Sequence, residues 1–425
     1  MANKFKTVGW ATGTNIYEVN VRQYTSEGTF SAFEKHLPRL KGMGVEILWF
    51  MPVTPISVLK RQGALGSYYA CSSYTSVNPE FGTGNDFRNL INTAHQLGLK
   101  VIIDWVANHT GWDHHWTTEH PDWYVQDKHG NFMEKNGWID VIDLNYQNSN
   151  LRQTMINAMQ YWIGEFDIDG FRCDMANLVP LDFWEEARRQ CDALKPLFWL
   201  AETEEDAYLD VFDCNYTWRW MHATEAFVRH ENSLQDVKNI LTGYNIPNEN
   251  YAKMFFTSNH DENSWNGTEY EKYGLMAKPL AAFTAIYPGI PLVYSGQELP
   301  NMKRLLFFDK DEIEWKENTL PALHNFYKSL LNLRKSNAAL HFGARMNEIN
   351  TYAANGIYMF LLEKGNQKVL ALFNFSATHL SNIFVEHELL SGNYRNVFSG
   401  IKYAFKNQEQ FELMPYDYLI YSAEM

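Results

Sequence analysis

Gly170-Phe171-Arg172-Cys173-Asp174 decides how this chain is read. A short apolar run reads as a strand buried on both faces, and here it ends on a carboxylate. On a strand, residues i and i+2 share a face, so Arg172 and Asp174 point the same way. Three more acids end apolar runs in the same manner: Asp104 after Val101-Ile102-Ile103, Glu202 after Phe198-Trp199-Leu200-Ala201, and Asp261 after Met254-Phe255-Phe256. A core cannot accept such a group, so its place at a strand exit points to chemistry. Four of them predict strands converging on one pocket.

Outward from that stretch, strand-like and helix-like segments alternate. Strands are predicted at Asn15 to Val21, Glu46 to Met51, Leu99 to Asp104, Asp169 to Asp174, Leu197 to Glu202, Met254 to Thr257 and Pro291 to Tyr294, with a further unit within Asp210 to Tyr244. Helices are predicted near Phe30 to Leu40, where Pro38 should kink or shorten the helix, and from an Asn85 N-cap to a Gly98 stop. Others are predicted at Asn150 to Phe166, Leu181 to Leu194, Tyr273 to Ile286 and Leu320 to Leu333. About eight β-then-α units predict an α/β (β/α)8 TIM barrel. A doubly wound sheet also alternates, but gives no reason for four separate strand-end acids, and no phosphate-cradling glycine loop follows any strand.

Two segments break the period. Residues 105–148 are rich in Trp, His, Asp and Gly and read as a small domain B inserted after the third strand. Beyond 340 the period becomes strand-like, with Gly356 to Glu363 and Lys368 to Phe375 flanking a turn. Tyr394 to Phe405 and Tyr416 to Ser422 read as further strands. The expected organisation is a barrel from 1–104 and 149–340, the insertion at 105–148, and a C-terminal antiparallel β-domain at 341–425.

Composition excludes several classes. A hydrophobic share of 45% supports a full core. A net charge of −14 argues against nucleic acid, whose phosphates need a basic surface. No window is apolar enough to span a membrane. Cys71, Cys173, Cys191 and Cys214 match no zinc spacing and read as buried free thiols. Met1-Ala2-Asn3-Lys4-Phe5-Lys6 carries no apolar stretch after its basic residues, so no signal peptide is visible and a cytoplasmic protein is expected.

The acids have contrasting sequence neighbourhoods. Arg172 should lower the pKa of Asp174 and keep it ionised. Glu202 follows apolar residues with no basic neighbour in sequence, so its pKa should rise. Carboxyls in opposed environments make an acid and nucleophile pair, as in a retaining glycosidase. His109 and His260 add imidazoles at strand ends, able to hydrogen-bond sugar hydroxyls.

With these motifs in view, the chain resembles the α-amylase superfamily of glycoside hydrolases. Asp104-Trp105-Val106-Ala107-Asn108-His109, Gly170 to Asp174, Leu200-Ala201-Glu202-Thr203 and Phe256-Thr257-Ser258-Asn259-His260-Asp261 are similar to its four signatures, in family order. Val141-Ile142-Asp143-Leu144-Asn145 resembles the extra signature of the inserted domain, and Pro291 to Glu298 the eighth strand. The resemblance implies Asp174 as nucleophile, Glu202 as general acid/base and Asp261 as transition-state stabiliser. It implies Arg172, His109 and His260 as ligands of the glucose ring, Tyr69 (rather than Tyr68) stacking on that ring, and Asp104 bracing the arginine.

The implied activity is retaining hydrolysis of α-1,4 bonds in starch, glycogen or maltooligosaccharides. A maltogenic or α-1,6-acting enzyme and a transglycosylase are alternatives on the same fold, and a non-catalytic binding barrel is the remote one. No cofactor is required for that chemistry. Asn108 and Asp143 match two calcium-ligand positions, which allows a structural calcium, although calcium takes six to eight oxygens. The histidines at 114, 115, 120 and 129 are expected on the surface or in loops. The chain departs from the family at Ser73, where Asp is frequent, and at Asn177-Leu178, where many α-amylases carry Lys-His. Among Trp112, Trp116, Trp123 and Trp138, one or two should face the groove. Oligomeric state is not encoded in any motif.

Overall fold

The computed structural model describes residues 4–244, 248–316, 319–351 and 356–424; Met1 to Asn3 of the N-terminal reading lie outside them. Eight parallel strands close a barrel: β1 Ile16–Val19, β2 Ile47–Phe50, β3 Lys100–Trp105, β4 Gly170–Cys173, β5 Phe198–Ala201, β6 Cys214–Tyr216, β7 Ala252–Phe255 and β8 Ile290–Tyr294. Each pairs with its neighbours in sequence order, and β8 closes on β1. Every strand but the first residue of β3 is buried throughout, because helices cover the outer face and side chains fill the interior.

Register brings the acids together. Asp104 on β3 is the Cα partner of Arg172 on β4, and Cys173 that of Ala201 on β5. Asp174 and Glu202 therefore leave adjacent strands side by side; the Asp174 N–H donates to Trp105 O and the Glu202 N–H to Cys173 O.

Helices differ from expectation in their ends. Pro38 does more than kink its helix: the segment splits into Phe30–Glu34 and Leu37–Met43, with proline in the first turn of the second piece, where its missing N–H is harmless. The N-cap of Gly84–Gln96 is Thr83 rather than Asn85, because Thr83 and Asp86 form a reciprocal capping box. The unit after β6 holds two helices, Trp218–Val228 and Leu234–Gly243. The long helix before β8 starts at Ala277, while Tyr273 closes a separate turn, Glu269–Tyr273.

In the inserted segment, His109–Gly111 and Val141–Asp143 pair antiparallel. Beyond the barrel, six antiparallel strands form one sheet, and Leu380–Glu386 pairs with Gln408–Leu413 in a second. Tyr394 to Phe405 is two strands, Gly392–Asn396 and Lys402–Phe405, not one. Asn396 Oδ1 accepts from the Phe398 and Ser399 N–H groups and folds the chain back there. The sheet packs on the barrel through Phe283, whose ring meets Phe360 and Phe373 edge-on. Among the described residues, no helix is long and apolar enough to cross a membrane.

Candidate active site

Arg172 organises the C-terminal mouth of the barrel. Its side chain is fully buried, and Nη1 donates to Asp104 Oδ1 at 2.9 Å and to Asp174 Oδ1 at 2.8 Å. Nε donates to Tyr216 OH at 3.1 Å. Nη2 stands 2.8 Å from Glu202 Oε1 without hydrogen-bond alignment, an ion-pair contact only. One guanidinium thus faces three carboxylates. Such a group is strongly preferred in its charged form, and their charges hold its pKa well above the usual value despite burial.

The electrostatics correct one expectation and bear out another. Asp174 is not held low by Arg172: burial pushes it up to about 6, because the guanidinium's opposing pull is shared with Asp104, and Asp104 and Asp261 add negative charge. Asp104 is likewise raised to about 6 by burial against Arg172. Glu202 does have a basic neighbour, Arg172, supplied by the adjacent strand. Burial still raises it to about 7, with help from Asp174 and Asp261. Glu202 Oε2 also accepts the Met175 N–H at 2.8 Å. Met175 has φ +40°, a left-handed conformation that side chains rarely adopt, so the backbone is strained at the residue whose amide meets Glu202.

A second network comes from β1 and the segment after β7. Asp261 sits beyond the end of β7, just before a π-helical turn, Glu262–Asn266, rather than directly at a strand exit. His260 Nε2 lies 3.2 Å from Asp261 Oδ2 and 2.7 Å from Tyr69 OH, and its Nδ1 bonds Glu18 Oε1. Burial disfavours an imidazolium, yet Asp261 and Glu18 outweigh it and raise His260 well above its ordinary value. Burial also opposes charge on Asp261, but His260 and Arg172 hold it below the usual carboxylate range. With both His260 nitrogens donating, the Tyr69 hydroxyl is free to donate to Asp104 Oδ2 at 3.1 Å.

These side chains surround a pocket of about 360 Å³. Asp174, Glu202, Asp261, Tyr69 and His109 line it, so it gathers the predicted groups, while Arg172, His260 and Asp104 stand behind them. Tyr69, not Tyr68, reaches the pocket; Tyr68 donates to Asn20 and lies under Arg22. Burial pushes His109 down to about 4, leaving an uncharged ring whose Nδ1 accepts from Asn108.

Of the four tryptophans, Trp138 lines the pocket against His109, whereas Trp116 and Trp123 pack edge to face inside the insertion. Trp112 carries Lys60 over its ring. His114 lies in a loop, as expected, but not on the surface: it is fully buried between Tyr74 and Trp116, where burial pushes its pKa down to about 3.

Several residues of the site have no counterpart in the sequence reading: Met175, Trp265 and Phe307 line the pocket, and Glu18 and Tyr216 stand behind it on His260 and Arg172. Glu18 carried the usable signal, a carboxylate inside the apolar run Ile16–Val19. Among the described residues, no three His, Cys, Asp or Glu side chains gather to hold a metal. Asn108 turns its amide to His109, and Asp143 Oδ1 is buried without a partner. These two residues supply only part of the six to eight oxygens that calcium takes.

A closed (β/α)8 barrel whose strand ends bring acids around one pocket defines a barrel enzyme of the kind that works at its C-terminal mouth. The family model for the α-amylase catalytic domain matches residues 9–122 and 118–319, and the chain belongs to the α-amylase family. It is similar to the crystal structure of a noncanonic maltogenic α-amylase, AmyB, from Thermotoga neapolitana: 31% identity, TM-score 0.87, covering 97% of this chain and 99% of that one. An α-amylase structure from Lactobacillus plantarum is 29% identical with a TM-score of 0.85, again covering 97% and 99%. The α-amylase MalA of Haloarcula japonica is 27% identical over 393 residues, 87% of this chain; the chain spans 56% of that relative.

Proposed function

We propose that this chain is a retaining hydrolase of α-1,4-glucosidic bonds in starch, glycogen or maltooligosaccharides. The observation that carries the reading is the bridging of Asp174 and Glu202 by one guanidinium. Double displacement needs the two carboxyls about 5–5.5 Å apart, close enough to flank one anomeric centre, whereas an inverting pair stands farther apart to admit a water.

At neutral pH Glu202, raised to about 7, retains a proton more readily than Asp174, raised to about 6. Glu202 gives its proton to the glycosidic oxygen as the C1–O bond breaks, and Asp174 attacks C1 to form an ester. Glu202, now a carboxylate, takes a proton from water, whose oxygen attacks C1 and releases Asp174. Asp261, held ionised beside His260, faces the positive charge that develops on the ring. Tyr69 and His109 face the ring, Arg172 and His260 position the acids and Tyr69 from behind, and Asp104 braces Arg172. The cycle uses only these side chains and water.

Similarity to the maltogenic α-amylase AmyB favours a second reading, release of short sugars from the same bonds. The four free, buried thiols fit a reducing, cytoplasmic compartment. Product analysis on soluble starch, maltotriose, pullulan and cyclodextrin tests the proposal. Cleavage of α-1,4-linked substrates supports it, and cleavage of pullulan only at α-1,6 linkages contradicts it.

A further inference from the structure

Asp261 opens a turn of an uncommon kind. The Gly267 N–H donates to Glu262 O at 2.9 Å, five residues back, so Glu262–Asn266 is π-helical, a geometry that is rare and concentrates at functional sites. Three buried side chains hold this turn. Asn259 Oδ1 accepts the Glu262 N–H at 2.8 Å. Asn263 reaches the segment after β8, donating to Lys303 O at 3.2 Å and accepting the Leu305 N–H at 2.9 Å. Glu262 accepts from Asn266 at 2.9 Å and from Lys272 Nζ at 2.5 Å, and Lys272 also pairs with Glu225 of the helix Trp218–Val228 at 2.6 Å. Removing the lysine would leave Glu262 as a buried charge without its cation, so the pair is costly to break.

The turn carries Trp265. This residue is 52% exposed, lines the pocket and hydrogen-bonds the Asp261 carboxyl. An indole has one polar atom, Nε1, whose hydrogen it can only donate. His260 Nε2 meets Asp261 Oδ2 at 3.2 Å, so two donors serve that carboxyl, one from the residue before it and one from four residues on. The indole is itself held in place. Its ring lies 5.3 Å from Phe307 and 5.6 Å from Phe308, and Phe307 stacks on Tyr69 at 6.2 Å. The ring alone could serve as an apolar wall, but the bond to Asp261 gives the nitrogen a separate task.

Resting on the hydrolase reading above, we infer that Trp265 is a positioning residue for the reaction: its indole N–H aims the Asp261 carboxylate at the charge that develops on the ring, and the buried Glu262–Lys272 pair fixes the π-turn that brings the indole there. The Asp261 side chain is 39% exposed, so without the second donor it is free to turn toward water. Its interaction with the charged ring exists only in the transition state, and its loss falls on kcat.

The experiment compares kcat and KM of the wild type, Trp265→Phe, Lys272→Met and Lys272→Arg on maltotriose and maltopentaose, with thermal melting to check the fold. Trp265→Phe keeps an aromatic face and removes the N–H. A hydrogen bond to a charged group is worth about ten- to a hundredfold. The expected result is a fall in kcat of about tenfold or more for Trp265→Phe, equal on the two sugars, with KM nearly unchanged. Lys272→Met should reproduce the fall, and Lys272→Arg should restore most of it. A kcat near wild type for Trp265→Phe overturns the inference, as does a loss carried by KM and larger on maltopentaose. A normal kcat in folded Lys272→Met overturns the part given to the ion pair; if that variant does not fold, Trp265→Phe, at an exposed position, decides the matter. A folded wild type inert on both sugars overturns the hydrolase reading, and this inference with it.

Discussion

Arg172 Nη2 lies 2.8 Å from Glu202 Oε1, although the two residues stand thirty positions apart on adjacent strands. The same guanidinium holds Asp174 through its other terminal nitrogen. The nucleophile and the proton donor therefore share one cation, and each feels the other's charge. Neither can be titrated or removed without changing its partner.

The first consequence is a narrow pH profile. Below about 6 Asp174 gains a proton and loses its nucleophilic oxygen; above about 7 Glu202 loses the proton it must donate. We predict a bell-shaped kcat/KM with its maximum between these values. Because the groups interact, the limbs report the pair rather than single residues. A plateau extending past pH 9 would contradict the assignment of Glu202.

Stability should trade against this arrangement. A carboxyl whose folded pKa is raised contributes its full stability below the unfolded value and loses it as pH rises through the folded one. For Glu202 that window runs from about 4.5 to about 7. Glu202→Gln removes the buried charge, so it should stabilise the fold at pH 8 by up to about 3 kcal/mol and bring no gain at pH 4. Denaturant unfolding at the two pH values checks both halves of this statement, along with near-complete loss of turnover.

Glu18 acts through His260. Replacing it by Gln removes one of the two charges that keep His260 protonated, and a neutral His260 no longer holds Asp261 low. Glu18→Gln should lower kcat/KM about 10–100-fold, as loss of a supporting partner does. Asp261 then protonates sooner, so the acid limb, set by Asp174 in the parent protein, should steepen as a second group must lose its proton. An unchanged limb would show that Glu18 is structural only.

Gly170 is required by packing. A Cβ there would stand 2.1 Å from Phe198 O, a backbone atom of β5. Gly170→Ala should therefore push β4 away from β5 and destabilise by about 3 kcal/mol or more, with activity lost through displacement of Arg172. Unfolding curves measured beside a Gly164→Ala control, where a Cβ meets nothing within 4 Å, separate this from a general glycine effect.

Legibility followed position in the run. Asp104, Asp174 and Glu202 stand at the ends of apolar runs, so the barrel and its acids were visible together. Glu18 lies inside its run, Ile16–Val19, rather than at its end, and went unread. Thr83 was legible as a cap through Asp86 three residues later, a stronger mark than Asn85 alone. Met175, Trp265, Phe307 and Gln62 lie on segments without period, and only the folded chain brings them to the pocket. The Asp174 pKa was misjudged because adjacency in sequence showed one cation beside one acid, whereas the fold shares that cation among three.

The central claim is that Asp174 forms a covalent bond to the sugar before water does. The anomeric form of the first product, followed by proton NMR during early hydrolysis of maltotriose, tests it most directly. Two successive displacements leave the α-anomer in excess before mutarotation. Early accumulation of the β-anomer would mean a single displacement by water and would contradict the shared-guanidinium account of Asp174 and Glu202.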